Sequence, residues 1–410
     1  MKVCVVGTGG REHALAHVLA RTATSVVVTP GNPGIPGSVS TPPEEIDADL
    51  FVVGPEAPLV DGLADRLRSQ GKLVFGPGAD GARLEGSKAW MKEVLVDAGV
   101  PTAAYGTFSA DEERGALDFL GSMPGPYVVK TDGLAAGKGV VVTESFDEAR
   151  NAVIAYLSGA AFGAAGQRLV IEEFLEGPEL SILAVCDGHR AVALAPAQDF
   201  KRIGDGDAGP NTGGMGAYSP VPFAGPDLVD EVMVTAVEPT LAALRDRGVD
   251  YRGVLYAGLV LTADGPKMLE YNVRFGDPET QVVLPRLSSD LVDLLAQAAA
   301  GEMTATPTFV DDAFVTVVCA AERYPASPRT GDVIEGIDAA EAAGATVFCA
   351  GVSADADGRL VTAGGRVLCV TASGASIAAA RDAAYAAVDL ISWPGMQRRT
   401  DIARRAAGQE

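Results

Sequence analysis

Val254 to Leu261 carries no charge, and beyond the turn-rich Thr262-Ala-Asp-Gly-Pro266 a second run alternates polar and apolar positions as far as Phe275. The pattern predicts an antiparallel hairpin whose first strand is buried. Side chains alternate along a strand, so Glu270, Asn272 and Arg274 are expected on one face and Leu269, Tyr271, Val273 and Phe275 on the other, core face. A carboxylate, an amide oxygen and a guanidinium in a row suit a hard cation and the anion it carries. The plainer alternative is an edge strand with solvated charges. The uncharged partner strand argues against it, because buried charges are normally paired or metal-bound.

Residues 1–86 read as strand–helix–strand units. Strands are expected at 3–6, 25–29, 50–53 and 73–75, each ending in a Gly/Pro loop, with a helix over 11–21. Four such strands make an open parallel α/β sheet with its ligand loops at the carboxyl edge. The first loop, Gly7-Thr-Gly-Gly-Arg-Glu-His13, invites a dinucleotide reading. Against it, Glu12 stands at the third glycine position and no acid follows the second strand. A phosphate on the backbone N–H groups at the start of helix 11–21, with Arg11 beside it, is expected instead.

Ser87 caps a helix running to about residue 98, with Lys88 and Lys92 one turn apart. On their own these two lysines imply a solvated face. Strands at 126–130 and 140–143 flank Thr131-Asp-Gly-Leu-Ala-Ala-Gly-Lys-Gly139. A Walker A loop needs four residues between its glycines, then Lys-Ser/Thr and a helix. Here three separate Gly133 from Gly137, Gly139 follows Lys138, and a strand comes next. The stretch reads as a hairpin flap with Lys130 at its base and Lys138 at its tip, able to lie over phosphates. A mobile surface hairpin is the alternative.

Ser145-Phe-Asp-Glu148 is a capping box for a helix to about 157. Leu169-Val-Ile-Glu-Glu-Phe-Leu175 is a strand running into Glu176-Gly-Pro-Glu179. Its acidic pair fits an adenine amino group, with Glu179 on the ribose, and fits an exposed strand end equally well. Strands at 180–186 and 190–196 precede a loop from Ile203 to Tyr218 with glycines at Gly204, Gly206, Gly209, Gly213, Gly214 and Gly216. Such a loop is either disordered or a substrate loop. Helices at 226–247 and 289–300 bracket the central hairpin, and Thr304-Ala-Thr-Pro-Thr308 reads as a linker. Strands at 313–320, 345–350 and 366–371, a turn at 355–358 and a helix at 376–390 make a small α+β module. It carries no nameable chemical motif, and its expected role is to close one wall of the site.

At 410 residues the chain exceeds one ordinary core. Its 48% hydrophobic and 21% charged residues are those of a globular protein. The net charge of −22 argues against nucleic acid or an anionic membrane as partner. It permits small anionic substrates, because a few local cations dominate a pocket. Of eight lysines, Lys88, Lys92, Lys130, Lys138 and Lys201 fall in or beside the motifs above. Five cysteines sit singly in apolar runs, as reduced core residues would. Three histidines make no zinc site. No apolar run reaches the roughly 18 residues of a membrane helix, and the start of the chain shows no leader pattern. A cytoplasmic location is expected.

Together the flap, the acidic strand and the Glu-x-Asn-x-Arg strand resemble the ATP-grasp ligases, and more narrowly the phosphoribosylamine–glycine ligase (glycinamide ribonucleotide synthetase) family. Its carriers run nearly end to end: Gly9-Gly-Arg-Glu-His13, Pro30-Gly-Asn-Pro-Gly34, Gly54-Pro-Glu-Ala-Pro-Leu59, Gly86-Ser-Lys88, Asp132-Gly-Leu-Ala-Ala-Gly-Lys-Gly-Val140, Glu172-Glu-Phe-Leu175, Gln198-Asp199 with Lys201-Arg202, Pro210-Asn-Thr-Gly-Gly-Met-Gly-Ala-Tyr218 and Asn272-Val-Arg-Phe-Gly-Asp-Pro-Glu-Thr-Gln281. The resemblance implies an N-terminal open parallel α/β domain over 1–86 that binds phosphoribosylamine. It implies an ATP-grasp core over 87–303 with a lid at about 110–178, and a small C-terminal α+β domain over 304–410.

It also implies the chemistry, which is ATP-dependent joining of glycine to 5-phosphoribosylamine through glycyl phosphate. Glu270 and Asn272 would hold Mg²⁺, with Mn²⁺ as a substitute, and Arg274 would neutralise the reacting carboxylate or the γ-phosphate. Lys88 and Lys130 would take the ATP phosphates beneath the flap with Gly137 and Lys138. Glu172 and the backbone at Phe174 and Leu175 would meet adenine, and Glu179 the ribose. Gly9, Gly10, Arg11, Asn32 and Glu56 would face phosphoribosylamine, and Asp199, with Gly213 and Gly214, would orient glycine. A monomer is expected. Two departures stand out. The family usually has a helix between its second and third strands, where only the proline-rich 35–49 is available, so an extended connection is expected. Many ATP-grasp enzymes offer a second metal carboxylate on the strand before Glu270, and Gly253 to Leu261 offers none, so a second Mg²⁺ would be weak or absent. Rival readings are another ATP-grasp ligase, a non-enzymatic nucleotide-binding regulator and a dehydrogenase.

Overall fold

The computed structural model of the chain describes residues 1–133, 139–159 and 168–409. Lys2–Gly7, Ser25–Pro30, Leu50–Val53 and Leu73–Phe75 form a parallel sheet in which the first strand lies between the second and third. Near-continuous apolar runs are what strands covered on both faces require. Helix Gly10–Leu19 leaves the first strand. The 35–49 connection buries Ile35 and forms one 3₁₀ turn, Pro43–Glu45. Apart from a turn at 35–38 it holds no further helix, since prolines cannot continue a helical hydrogen-bond ladder.

The central hairpin pairs Arg252–Thr262 with Gly265–Asn272 and joins Glu179–Asp187 and Ala191–Ala193 in an antiparallel sheet. A bulge interrupts it: Gly258 pairs with Glu270 but Leu259 with Met268, so Leu269 has no partner. The expected alternation therefore fails at Leu269, which joins Glu270 in lining the cleft, while Met268 and Tyr271 are buried. Phe275 also departs from the expected face. The strand ends at Asn272, and Phe275 packs in a different core cluster, its ring 6.0 Å from that of Phe75.

Tyr105–Ser109, Arg168–Glu173, Tyr127–Thr131 and Val140–Thr143 make a separate antiparallel sheet. Helices Glu113–Ser122 and Phe146–Leu157 cover it with a small core of their own. Gly137 and Lys138, at the expected tip of the flap, lie outside the described residues.

The C-terminal sheet recruits strands from the middle of the chain. Its order is Gln198–Asp199, Gly216–Ser219, Ala313–Ala320, Arg366–Gly374, Thr346–Cys349, and helix Ile377–Val388 packs on it. The sheet thus straddles the linker expected at 304–308. The 203–218 stretch, expected as one loop, is a ribbon of Arg202–Gly204 with Ala208–Asn211, a turn, and a strand. Glycine is needed at 216 because a Cβ there would lie 2.7 Å from the Thr316 carbonyl oxygen. The helix expected at 226–247 is divided by a π turn, Met233–Val237, just before Pro239, which supplies no N–H. Thr280–Val283 and Ile337–Ala342 are short helices that hydrophobic periodicity did not reveal. All five cysteines are free and buried. Among the described residues no helix is long and apolar enough to cross a membrane.

Candidate active site

Helix Lys88–Asp97 begins under two caps. Ser87 Oγ accepts the Trp90 N–H at 3.1 Å, and Asp132 Oδ1, at the base of the flap, accepts the Ala89 N–H at 2.9 Å. This anchors Asp132, just past the strand Tyr127–Thr131, to the helix, and both lysines turn inward, contrary to the solvated face expected. Lys92 is fully buried, donates to Thr102 Oγ1 at 2.7 Å and lies 3.3 Å from Glu172 Oε1. Burial lowers its pKa to about 8, with Glu172 opposing the shift. Lys88 Nζ donates to the Gly133 carbonyl at 3.2 Å. Burial depresses its pKa and Glu270 partly restores it.

A cleft of about 1670 Å³ opens between the flap sheet and the central sheet. Lys130, Glu172, Phe174, Leu175, Glu179, Asp199 and Glu270 line it, so seven of the expected site residues share one cavity. Val128, Val260 and Leu269 give its inner end an apolar lining. Lys130 Nζ donates to Glu172 Oε2 at 2.9 Å. Burial would lower the Lys130 pKa, but Glu172 and Glu270 outweigh it and hold the ammonium charged. Phe174 and Leu175 fall just beyond the strand that ends at Glu173, with Phe174 exposed.

Toward the other end, Lys201 Nζ lies 3.1 Å from Asp199 Oδ1 and is also paired with Glu179. Burial pushes the Asp199 carboxyl up to about 7, with Glu279 and Glu179 adding to the effect of burial and Lys201 opposing it. Glu279, buried behind it, accepts from Tyr256 Oη, which is 2.8 Å from Ser181 Oγ. The C-terminal segment forms the outer wall, with Arg399, Asp401, Ala403 and Arg404 among its residues. Arg399 pins it there. Its guanidinium is buried, sits 5.0 Å from the centre of the Phe200 ring and pairs with Asp207 and Asp401 at 2.7 Å.

The acid–amide–guanidinium row is assembled in spite of the bulge. Arg274 Nη2 donates to Asn272 Oδ1 at 3.0 Å. Burial alone would raise the Glu270 carboxyl, but Lys130, Lys201, Lys88 and Arg274 outweigh it and keep it ionised. Among the described residues, no group of three or more His, Cys, Asp or Glu side chains is placed to hold a metal. Glu270, beside Lys130, Lys201 and Lys88, and Asn272 Oδ1, which accepts from Arg274, supply one carboxylate and one amide oxygen, a set that would fit a divalent ion taking its other ligands from phosphates and water.

Arg274 has two further partners: Nε lies 3.3 Å from Glu56 Oε2, and Nη2 3.0 Å from Glu85 Oε1. The second was not anticipated. Glu56, expected at phosphoribosylamine, is thus engaged with Arg274, which together with Arg11 holds its carboxyl below the usual range despite burial.

At the N-terminal loop the structure departs from expectation. Glu12 Oε2 accepts the Gly9 N–H at 2.5 Å, and the carboxylate fills the space against Gly7 and Gly54 where an anion would sit. Arg11 is turned inward, with Nε donating to Glu12 Oε1 at 2.6 Å and Nη1 to the Phe275 carbonyl at 3.2 Å. Asn32 is likewise committed, donating to the carbonyls of Thr8 and Ala350 at 2.7 and 3.0 Å. Both side chains are thus engaged with other parts of the protein. Gly9, Gly10, Gly213 and Gly214 do converge. A Cβ on Gly9 would lie 3.7 Å from Asp277 Oδ2, one on Gly10 2.9 Å from Gln281 Nε2, and one on Gly214 3.5 Å from the Asp277 carbonyl.

Arg366, from the module in which no motif was recognised, ties this junction together. Its guanidinium donates to the carbonyls of Gly213 and Asp277 at 2.6 and 2.7 Å and lies 3.0 Å from Asp277 Oδ2. Arg366, Glu85 and Glu279 carry no local signature, because their partners are distant in sequence. Lys92 did have a signal: Ala89 and Leu95, three positions either side of it, are apolar and buried.

A lid sheet and a central antiparallel sheet on either side of a cleft lined by Lys130, Lys201 and Glu270 define the chain as an ATP-grasp enzyme, a class that uses ATP and a divalent cation. The chain belongs to the phosphoribosylglycinamide synthetase family. Residues 1–85 match that family's N domain, 86–280 its ATP-grasp (A) domain and 314–405 its C domain. A phosphoribosylamine–glycine ligase of Streptomyces coelicolor is 50% identical over 429 aligned positions, covering 100% of both chains. The crystal structure of a phosphoribosylamine–glycine ligase from Thermotoga maritima superposes with a TM-score of 0.87 at 35% identity, covering 98% of this chain and 100% of that one. The biotin carboxylase domain of Hydrogenobacter thermophilus 2-oxoglutarate carboxylase shares the fold, with a TM-score of 0.74 at 17% identity, over 97% of this chain and 91% of that one.

Proposed function

We propose that the chain uses ATP to join glycine to 5-phosphoribosylamine, giving glycinamide ribonucleotide, ADP and phosphate, the second step of purine synthesis. The observation that carries this reading is the placement of Lys130, Glu270 and Asp199 on one cleft, with Arg274 hydrogen-bonded to Asn272 just past the strand that carries Glu270. An oxygen of the glycine carboxylate attacks the γ-phosphorus as ADP departs. The amine of phosphoribosylamine then attacks the acyl carbon, phosphate leaves, and the amine proton passes to phosphate or solvent. Transfer between two anions requires neutralised charge more than proton shuttling.

Lys88 and Lys130 bind nucleotide phosphates, and the flap closes above them to exclude water from the acyl phosphate. Glu172, engaged by two ammonium groups, orients Lys130, and adenine rests on the backbone and apolar surface at Phe174 and Leu175. Glu179 serves the ribose. Asp199 orients the glycine amine beside Gly213 and Gly214, and Arg274 faces the reacting anion. Glu270 and Asn272 would hold Mg²⁺, or Mn²⁺ in its place, which would supply charge neutralisation for the transferring phosphate. Phosphoribosylamine lies at the junction of Gly9, Gly10 and Glu56 with Arg366.

In this reading 1–86 is the phosphoribosylamine-binding domain, 87–303 the ATP-grasp domain and 304–410 the closing C-terminal domain. The working form is a cytoplasmic monomer. The test is a coupled assay of ADP release with each substrate withheld in turn. Release should require glycine and phosphoribosylamine together, and release independent of either one overturns the reading.

A further inference from the structure

Arg274 lies two residues beyond the end of its strand, so the sheet ladder does not fix its backbone. A long, freely rotating side chain at such a position needs other groups to aim it. Three carboxylate or amide oxygens do so, but only one group holds both the main chain and the guanidinium. Glu85 Oε2 accepts the Val273 N–H at 2.9 Å while Oε1 accepts Arg274 Nη2 at 3.0 Å. Glu85 closes the helix Ala79–Gly86, which packs against the metal-ready strand. Its side chain is only 10% exposed, against 30% for Glu56. Glu56 contacts Arg274 at Nε alone, so an incoming anion can take its place. Glu85 cannot leave without stranding a buried N–H and a buried charge.

We infer that Glu85 is a positioning residue for the reaction: one carboxylate fixes both the peptide at Val273 and the guanidinium plane of Arg274, aiming the cation along the row of Asn272 and Glu270. It acts through Arg274 and touches no substrate. The inference rests on the role proposed above for Arg274 at the reacting anion. It adds a link between modules, because the helix bearing Glu85 leads directly into Lys88, so phosphate binding and guanidinium alignment share one rigid support.

The test compares E85Q, E85D, R274K and the double variant E85Q/R274K in the glycine- and phosphoribosylamine-dependent ADP assay. E85Q keeps the side-chain shape and one acceptor oxygen but replaces the other with a donor and removes the charge. It should lower kcat by about tenfold or more while the KM for ATP stays within about twofold, as expected when a group serves alignment and not nucleotide binding. E85D retains the charge but reaches less far, and should fall between E85Q and the parent. The decisive measurement is the double variant, whose kcat should lie within about twofold of R274K alone if Glu85 acts through Arg274. An E85Q kcat equal to the parent, or losses that multiply in the double variant, overturns the inference. If E85Q is insoluble, the same comparison is made with E85D and E85D/R274K. A parent protein that releases no ADP with both substrates present refutes the proposed function instead, so the two failures are distinct.

Discussion

Glu172 and Lys130 meet diagonally across neighbouring antiparallel strands, with the ammonium 2.9 Å from the carboxylate, and Lys92 approaches the other oxygen of that carboxylate from below. Two cations thus share one buried anion. Removing Lys92 leaves Glu172 neutralised by Lys130 but strips its Oε1 and the Thr102 hydroxyl of a buried partner. Lys92→Ala should lower unfolding stability by about 1–3 kcal/mol, read from urea denaturation. A loss below about 1 kcal/mol would mean that Thr102 and water replace the ammonium without difficulty.

Glu270 is the carboxylate placed to meet a divalent ion. Glu270→Gln should reduce kcat by about 100-fold or more, in line with the loss of a preorganised charge at a transferring phosphoryl group. It should also raise the Mg²⁺ concentration needed for half-maximal rate. Chelation of the metal should abolish ADP release in the parent, and Mg²⁺ or Mn²⁺ should restore it. An E270Q protein with unchanged metal dependence would remove this residue from the metal site.

His13 Nδ1 accepts the Cys349 N–H at 2.9 Å, joining the N-terminal helix to the C-terminal sheet. Burial, with His17 nearby, depresses the His13 pKa from 6.5 to about 4. Between those values the unfolded chain takes the proton more readily than the folded one, so stability rises with pH from about 4 to 6.5 and is level above. The effect should reach about 1–3 kcal/mol at the acid end of the window, seen as a falling Tm. His13→Gln should flatten that slope, and an unchanged slope would assign the acid sensitivity to other groups.

Arg366 supports the Gly213–Gly214 turn and Asp277 from a different module. Arg366→Met should raise the KM for glycine and for phosphoribosylamine by about tenfold while affecting the KM for ATP far less, since the junction it holds serves those two subsites and not the nucleotide. An equal change in the KM for ATP would point to a general loosening of the fold.

Much of this organisation was legible in the sequence. The parallel N-terminal strands stand where apolar runs end in Gly/Pro loops, and Ser87 and Ser145 cap the helices they precede. The cleft residues were legible because flap, acidic strand and row are each local patterns. What failed depended on partners distant in the chain. Period-2 alternation assumes an unbroken ladder, and the bulge at Leu269 breaks it. A Gly-rich loop before a helix reads as an anion seat unless one knows that Glu12 folds back into it. Arg366 and Glu85 act only once sheets from opposite ends of the chain are in place, and no spacing rule encodes that.

Glu12 deserves a last thought for what it denies. Glu12, its charge balanced by Arg11, fills the hollow between Gly7, Gly9 and Gly54 with its own carboxylate, where a nicotinamide or flavin coenzyme would lay its pyrophosphate. Dinucleotides are thereby denied the space in a crevice whose backbone otherwise resembles their customary berth. A single acidic letter within a glycine-rich run can therefore mark exclusion of such coenzymes and not their capture.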